Sequence, residues 1–221
     1  TSAKNLVGSF YQPRLVVSDI SLLRSLPERQ IRSGLAEIIK YGIINDSGLF
    51  SYLEDNIAAV KRLEKDVLER IVSRSSAIKA RFVQADEYDN KGMRAYLNFG
   101  HTIGHALEAA CKYSNLYSHG EAIAVGMAAA SRIALRSGLL DKISSDRIIN
   151  LIKEAGLPVT ISRRLKVEKI MKAQAYDKKM VRGVNRFVLP VRIGSVKLFE
   201  NISRNLILDT VRSMRNENRA G

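Results

Sequence analysis

The 221 residues include 36 Lys and Arg against 22 Asp and Glu, a net charge of +14, with 46% hydrophobic and 26% charged side chains. That balance belongs to a soluble globular fold with room for one sizeable core or two small ones. The apolar runs are too short for a membrane span, the first residues lack a signal-peptide layout, and the single Cys111 excludes an internal disulfide and fits a reducing, cytoplasmic compartment.

The basic excess invites a nucleic-acid reading. Against it, the cations are dispersed among acids, as in VKRLEKDVLER, and aromatic residues make up only 6% of the chain. An anionic small substrate, or an acidic partner domain outside this sequence, accounts for the charge equally well.

In chain order, RLVVSD (Arg14–Asp19) reads as a β-branched strand. Pro27 opens a helix through ERQIRSGLAEIIKYGIIN, with apolar residues at helical spacing. Asp46 or Ser47 caps a helix through SYLEDNIAAV, and a long one covers EKDVLERIVSRSSAIKARFV up to the polar loop DEYDNKG. Further helices are predicted at about Arg94–Lys112, Gly120–Arg136 and Ser145–Ala155, punctuated by Gly138, Gly156 and Pro158. RFVLPVRIGSVKLFE reads as two short strands around Ile193–Gly194, and Ser203 caps a last helix through SRNLILDTVRSM. The chain is therefore mainly α, with strand fragments near both ends. No repeat, low-complexity linker, GxGxxG or GxxxxGK[ST] occurs. A lone first strand needs a sheet to join, so the start has the look of a cut edge.

All three histidines lie close together, in LNFGHTIGHALEA and YSHGEAIAVGM. On one continuous helix, Arg94, Asn98, His101, His105 and Glu108 share an arc of about 80°. A solvated face is normally built from Lys, Glu and Gln, not from two His, an Asn and flanking Gly. Gly100 and Gly104 each weaken a helix by about 1 kcal/mol relative to Ala, which makes sense where another backbone or a ligand comes close. Histidines at i and i+4 can reach one metal, but the Glu of HExxH is missing, so a metalloprotease is excluded. A hairpin through KYSNLYS returns His119 toward the stripe. Glu37, set among apolar neighbours where an unpaired charge is expensive, is the best carboxylate, with Lys40 one turn on. Two His and one Glu form a catalytic Zn²⁺ set, and the chemistry alone also admits Fe²⁺.

SGLAEIIKYG, KARFVQADEYDNKGMRAYLNFGHTIGHALE and HGEAIAVGM resemble, in order, the signatures of the 3-dehydroquinate synthase family. DKKMVRGVNRFVLPVRIG resembles its later lysine segment, and KNLVGSFYQPRLVVSD its interdomain stretch. The resemblance implies a helical C-terminal metal- and substrate-binding domain (27–221) preceded by an interdomain strand and connection (1–26), without the family's N-terminal Rossmann-like NAD domain. It implies a cytoplasmic lyase of the shikimate pathway and aromatic amino acid biosynthesis. The substrate would be 3-deoxy-D-arabino-heptulosonate 7-phosphate, converted to 3-dehydroquinate and phosphate with Zn²⁺ (or Co²⁺) and NAD, in a homodimer with neither nucleic acid nor membrane as partner. Carried over by motif, Glu37, His101 and His119 are the metal ligands, and His105 meets substrate and proton traffic. Arg94, Asn98 and Lys79 hold the carboxylate end, and Lys40 the ring hydroxyls. Lys178 or Lys179, with Asn5, meets the phosphate, and Lys4, Asn5, Ser25 and Leu26 border NAD. The loop DEYDNKGMR is one residue longer than the family pattern, which leaves Lys79 less firmly placed than Arg94. Other sugar-phosphate cyclases, metal-dependent polyol dehydrogenases and an inactive helical binding module are the competing readings. The first two differ in lacking a substrate carboxylate or phosphate, and the third owes no metal affinity to Glu37.

Overall fold

The computed structural model describes residues 11, 13–88, 92–111, 115–175 and 185–217. At the centre lies a helix whose whole circumference is apolar or small. Helix α5 (His119–Arg136) buries Ala122 through Ala130 together with Ile133 and Ala134, the pattern of a helix enclosed on all sides. Around it pack α1 (Glu28–Asn45), α4 (His101–Ala110), α6 (Lys142–Glu154), α8 (Arg204–Asn216) and a β-hairpin. Helices α2 (Ser47–Lys61) and α3 (Lys65–Ala85) close the outer side of α1, and α7 (Val167–Ala175) lies on α4. No helix among the described residues is long and apolar enough to cross a membrane.

The hairpin pairs β1 (Arg186–Arg192) with β2 (Ser195–Glu200) in antiparallel register, Val188 opposite Leu198, as the pattern around Ile193–Gly194 predicts. At its tip Gly194, in the left-handed region at φ 86°, donates its N–H to the Ile43 carbonyl at 2.9 Å, docking the turn on the α1–α2 corner. A side chain there would strike Ser47. Asp46 fixes the same corner from the other side. Its Oδ1 accepts the Leu49 N–H, capping α2, and its carboxylate takes a two-pronged hydrogen bond from Arg74 of α3, both prongs at 2.9 Å. Asp46→Ala is expected to lower stability by about 1–2 kcal/mol in urea unfolding. Asp46→Asn, which keeps the cap acceptor, should lose less; equal losses would show that the cap contributes nothing.

Several predicted elements differ from the structure. RLVVSD is not a strand: Leu15, Val16 and Val17 lie outside any regular element and are 70–80% exposed, because a β ladder needs a hydrogen-bonding neighbour and the hairpin lies elsewhere. The expected helix from Arg94 to Lys112 is broken. Met93–Asn98 form a 3₁₀ turn, Gly100 adopts φ 79°, and α4 starts at His101. Five polar residues therefore do not share one helical face; the stripe survives on α4 as His101, His105 and Glu108. His119 is the first residue of α5 rather than its forerunner, and α6 begins at Lys142 under an Asp141 cap rather than at Ser145. Ser203 stands at the start of α8 without a side-chain capping bond. Helix α7 has no counterpart among the predicted elements, although Val167, Ile170 and Met171 carry helical spacing.

Candidate metal centre

Three backbone contacts assemble the site. Gly100 and Gly104 of the α4 side face Gly126 of α5 so closely that a Cβ on Gly100 would meet Met127 N and Ile123 O at 2.9 Å, and one on Gly126 would run into the Gly100 carbonyl. A Cβ on Gly120 would collide with the Ser33 backbone of α1, and the Gly120 N–H donates to Ser33 Oγ at 2.9 Å. Glycine at these positions lets α1, α4 and α5 approach backbone to backbone. Glu37 lies one turn beyond Ser33, His101 directly after Gly100 and His119 directly before Gly120, so the same contacts gather the three side chains.

The start of α5 is held firmly. Ser118 and Glu121 form a reciprocal capping box, and Arg29 of α1 bonds Glu121 through Nε at 3.1 Å and Nη2 at 2.6 Å while also reaching the Asn115 carbonyl. Burial would raise the Glu121 carboxyl; the hydrogen bonds from Arg29 and Ser118 outweigh it and hold the group below the ordinary glutamate range.

Glu37, His101 and His119 each present one ligand atom within 4.8 Å of the others. Glu37 Oε1 lies 3.9 Å from Nε2 of both His101 and His119. That oxygen is buried and has no hydrogen-bond partner, a costly position for a carboxylate atom unless a cation meets it. The other oxygen, Oε2, accepts from Lys40 Nζ at 2.5 Å. Both imidazoles are aimed through their opposite nitrogens. His101 Nδ1 donates to the Phe99 carbonyl at 3.1 Å, and His119 Nδ1 donates to Glu108 Oε1 at 3.2 Å. Each therefore turns the lone pair of Nε2 toward Glu37. This donor set, with an orphaned carboxylate oxygen and two oriented imidazoles, fits a Zn²⁺-type ion, and the 46% exposure of the His119 side chain leaves an approach for a further ligand.

The remaining predicted residues are only partly gathered at this cluster. His105 belongs to the cluster, its ring 5.2 Å from His101 and 6.3 Å from His119. Lys40 is buried to 3%; burial lowers its pKa and the charge of Lys79 lowers it further, with Glu37 opposing both. Tyr41 beside it is pushed up to about 12, by burial first and then by the charge of Glu37. Arg94 and Asn98 lie on the 3₁₀ turn before α4; the buried Asp86 carboxylate accepts from the Met93 N–H at 2.9 Å, and Arg94 Nη1 reaches the Glu87 carbonyl at 3.3 Å. Ser25 and Leu26 are exposed at the end of a 3₁₀ turn leading to α1. Lys4, Asn5, Lys178 and Lys179 lie outside the described residues. Sequence reasoning places Glu108 on the stripe but assigns it no role. A glutamate in the apolar setting HALEAA carries the same signal that singles out Glu37.

Comparison with known proteins bears on this geometry. Residues 34–180 match the family model described as 3-dehydroquinate synthase C-terminal, and residues 1–33 that described as 3-dehydroquinate synthase N-terminal. A 3-dehydroquinate synthase of Pelotomaculum thermopropionicum is 46% identical over 93% of this chain and 55% of its own length. One from Caldanaerobacter subterraneus is 49% identical over 88% of this chain and 54% of its own length. The chain thus spans about half the length of the relatives it matches. Among solved structures, the 2-epi-5-epi-valiolone synthase ValA of Streptomyces hygroscopicus, with NAD⁺ and Zn²⁺ bound, superimposes with a TM-score of 0.86 at 25% identity, covering 96% of this chain and 59% of that one. A 2-deoxy-scyllo-inosose synthase complexed with carbaglucose-6-phosphate, NAD⁺ and Co²⁺ gives 0.76 at 29% identity, covering 97% and 59%.

Proposed function

Because the chain belongs to the 3-dehydroquinate synthase family, we propose that it supplies the metal- and substrate-binding half of an enzyme converting 3-deoxy-D-arabino-heptulosonate 7-phosphate to 3-dehydroquinate and phosphate. The observation that carries this reading is Glu37 Oε1, buried, unpartnered and equidistant from two imidazole nitrogens. Identity of 43–49% to 3-dehydroquinate synthases, against 25–29% to the other cyclases, favours the carboxylate-bearing substrate over carboxylate-free sugar phosphates.

Glu37, His101 and His119 would hold a divalent metal, which when bound polarises neighbouring substrate oxygens and offsets alkoxide charge. NAD, held mainly by the part of the relatives that these residues do not cover, would supply the transient oxidation that acidifies a ring proton. His105, its ring 5.2 Å from that of His101, would take up and return a proton. The buried Lys40 cation offsets negative charge on a ring oxygen, and Arg94, with Asn98 and Lys79, offers a fork suited to a carboxylate. Lys178 or Lys179, with Asn5, would receive the phosphate, while Lys4, Asn5, Ser25 and Leu26 border the nucleotide. The basic surplus of +14 suits so anionic a substrate.

Phosphate release tests the proposal. Mixed with NAD, Zn²⁺ and the keto-acid phosphate, the 221 residues alone should release none. Adding the N-terminal half of a close relative should restore turnover, and Arg94→Ala should then impair the carboxylate substrate more than a carboxylate-free analogue. Turnover by the 221 residues alone, or equal impairment with both substrates, contradicts this assignment of roles.

A further inference from the structure

We infer that Glu108 is the positioning residue of the metal centre: by accepting the His119 Nδ1–H it fixes the tautomer and the aim of His119, the imidazole whose ring meets a carboxylate where His101 meets a backbone carbonyl. This rests on the metal-binding reading above and assigns a role to a side chain outside the three ligands.

The two imidazoles are held by different means. His101 is oriented by a carbonyl, that of Phe99, which the break between the 3₁₀ turn and α4 leaves pointing back at the ring. In an unbroken helix that carbonyl would accept the amide four residues on. His119 is the more exposed ring, at 46% against 12%, and the first residue of a different helix. Its partner is the Glu108 carboxylate at 3.2 Å, projecting from α4 across the α4–α5 seam. Glu108 follows His101 by seven residues, about two helical turns, so it rises from the same face of α4.

Glu108 is itself 9% exposed. A carboxylate so deeply placed needs hydrogen-bond donors, and the imidazole N–H is one that it meets. The bond has a directional consequence. A neutral imidazole carries a single proton, and the nitrogen that keeps it cannot bind a metal. Neutral histidine in water prefers to keep that proton on Nε2, the nitrogen that faces Glu37 here. Holding it on Nδ1 reverses that preference and stops the ring from flipping. Outer carboxylates on metal-bound imidazoles also raise ligand basicity, and their loss typically lowers metal affinity about 10–100-fold.

The test uses the 221-residue chain with Zn²⁺ calorimetry, Co²⁺ visible absorption and long-range ¹H–¹⁵N NMR of the imidazoles. Glu108→Ala is expected to bind Zn²⁺ about 10–100-fold more weakly, and metal-free NMR should show His119 leaving the Nδ1–H tautomer while His101 keeps it. Glu108→Gln retains an acceptor oxygen in the same volume, so it should keep the tautomer, lose less affinity and serve if the alanine variant fails to fold. Unchanged affinity and unchanged Co²⁺ spectrum in Glu108→Ala, or a His119 proton on Nε2 in the unsubstituted chain, overturns the inference. Absence of metal binding by the unsubstituted chain would instead refute the metal-centre reading, and the NMR result would still decide whether Glu108 sets the tautomer.

Discussion

Glu37→Gln is expected to abolish tight Zn²⁺ binding. The substitution keeps the shape of the side chain but removes the charge from the oxygen that two imidazole nitrogens face at 3.9 Å. Loss of a direct ligand should exceed the roughly 100-fold that outer-sphere changes cost at most. It also strands Lys40, whose buried ammonium takes its 2.5 Å hydrogen bond to Glu37. Breaking a buried pair costs about 3–5 kcal/mol, and with Glu37 still 31% exposed the penalty here should be at most about 3 kcal/mol. The two effects are separable. The double variant Glu37→Gln/Lys40→Met should recover most of the stability and none of the metal affinity, read by urea unfolding and calorimetry on the same sample. Micromolar or tighter Zn²⁺ binding by either variant would place the ion elsewhere.

Gly126→Ala is expected to be the most damaging single methyl in the molecule. The added Cβ would run into the Gly100 carbonyl and lie 2.9 Å from Gly104 N, both backbone atoms of the facing segment. No flexible side chain can swing aside, so α4 and α5 must separate. Overpacking costs about 1–3 kcal/mol where side chains can adjust, and about 3 kcal/mol or more is expected here. Because α4 carries His101 and α5 carries His119, metal affinity should fall with stability. Gly34 provides the contrast: it lies in α1 with nothing within 4 Å of where its Cβ would stand, so Gly34→Ala should raise stability by about 0.5–1 kcal/mol through helix propensity. Equal effects at the two positions, measured by thermal and urea unfolding, would show that the α4–α5 contact is not tight.

The helices around the core are legible in the sequence because their information is local. Pro27 ahead of α1, Asp46 ahead of α2 and apolar spacing along both state where each helix starts and which side it buries. The Glu37–His101–His119 cluster is legible through composition: three histidines gathered in one region, and a glutamate where a bare charge is unfavourable. Gly100 and Gly104 mark a close approach in the sequence, and Gly126 supplies the opposing surface. What the sequence conceals is non-local. The break at Phe99–Gly100 depends on the positive φ of Gly100 against α5, and helical periodicity runs smoothly through that point. The strand read into RLVVSD fails for the converse reason, since β propensity describes a surface that fits a sheet and cannot supply the neighbouring strand. Glu108 is visible in the stripe, but its task depends on the rotation of His119, which only the packed helices define.

The most direct measurement is anomalous X-ray scattering at the zinc edge from crystals of the chain saturated with Zn²⁺. A peak is expected about 2.0–2.2 Å from Glu37 Oε1, His101 Nε2 and His119 Nε2 together. A Zn²⁺ peak bound by other residues, with these three side chains left apart, would contradict the central claim.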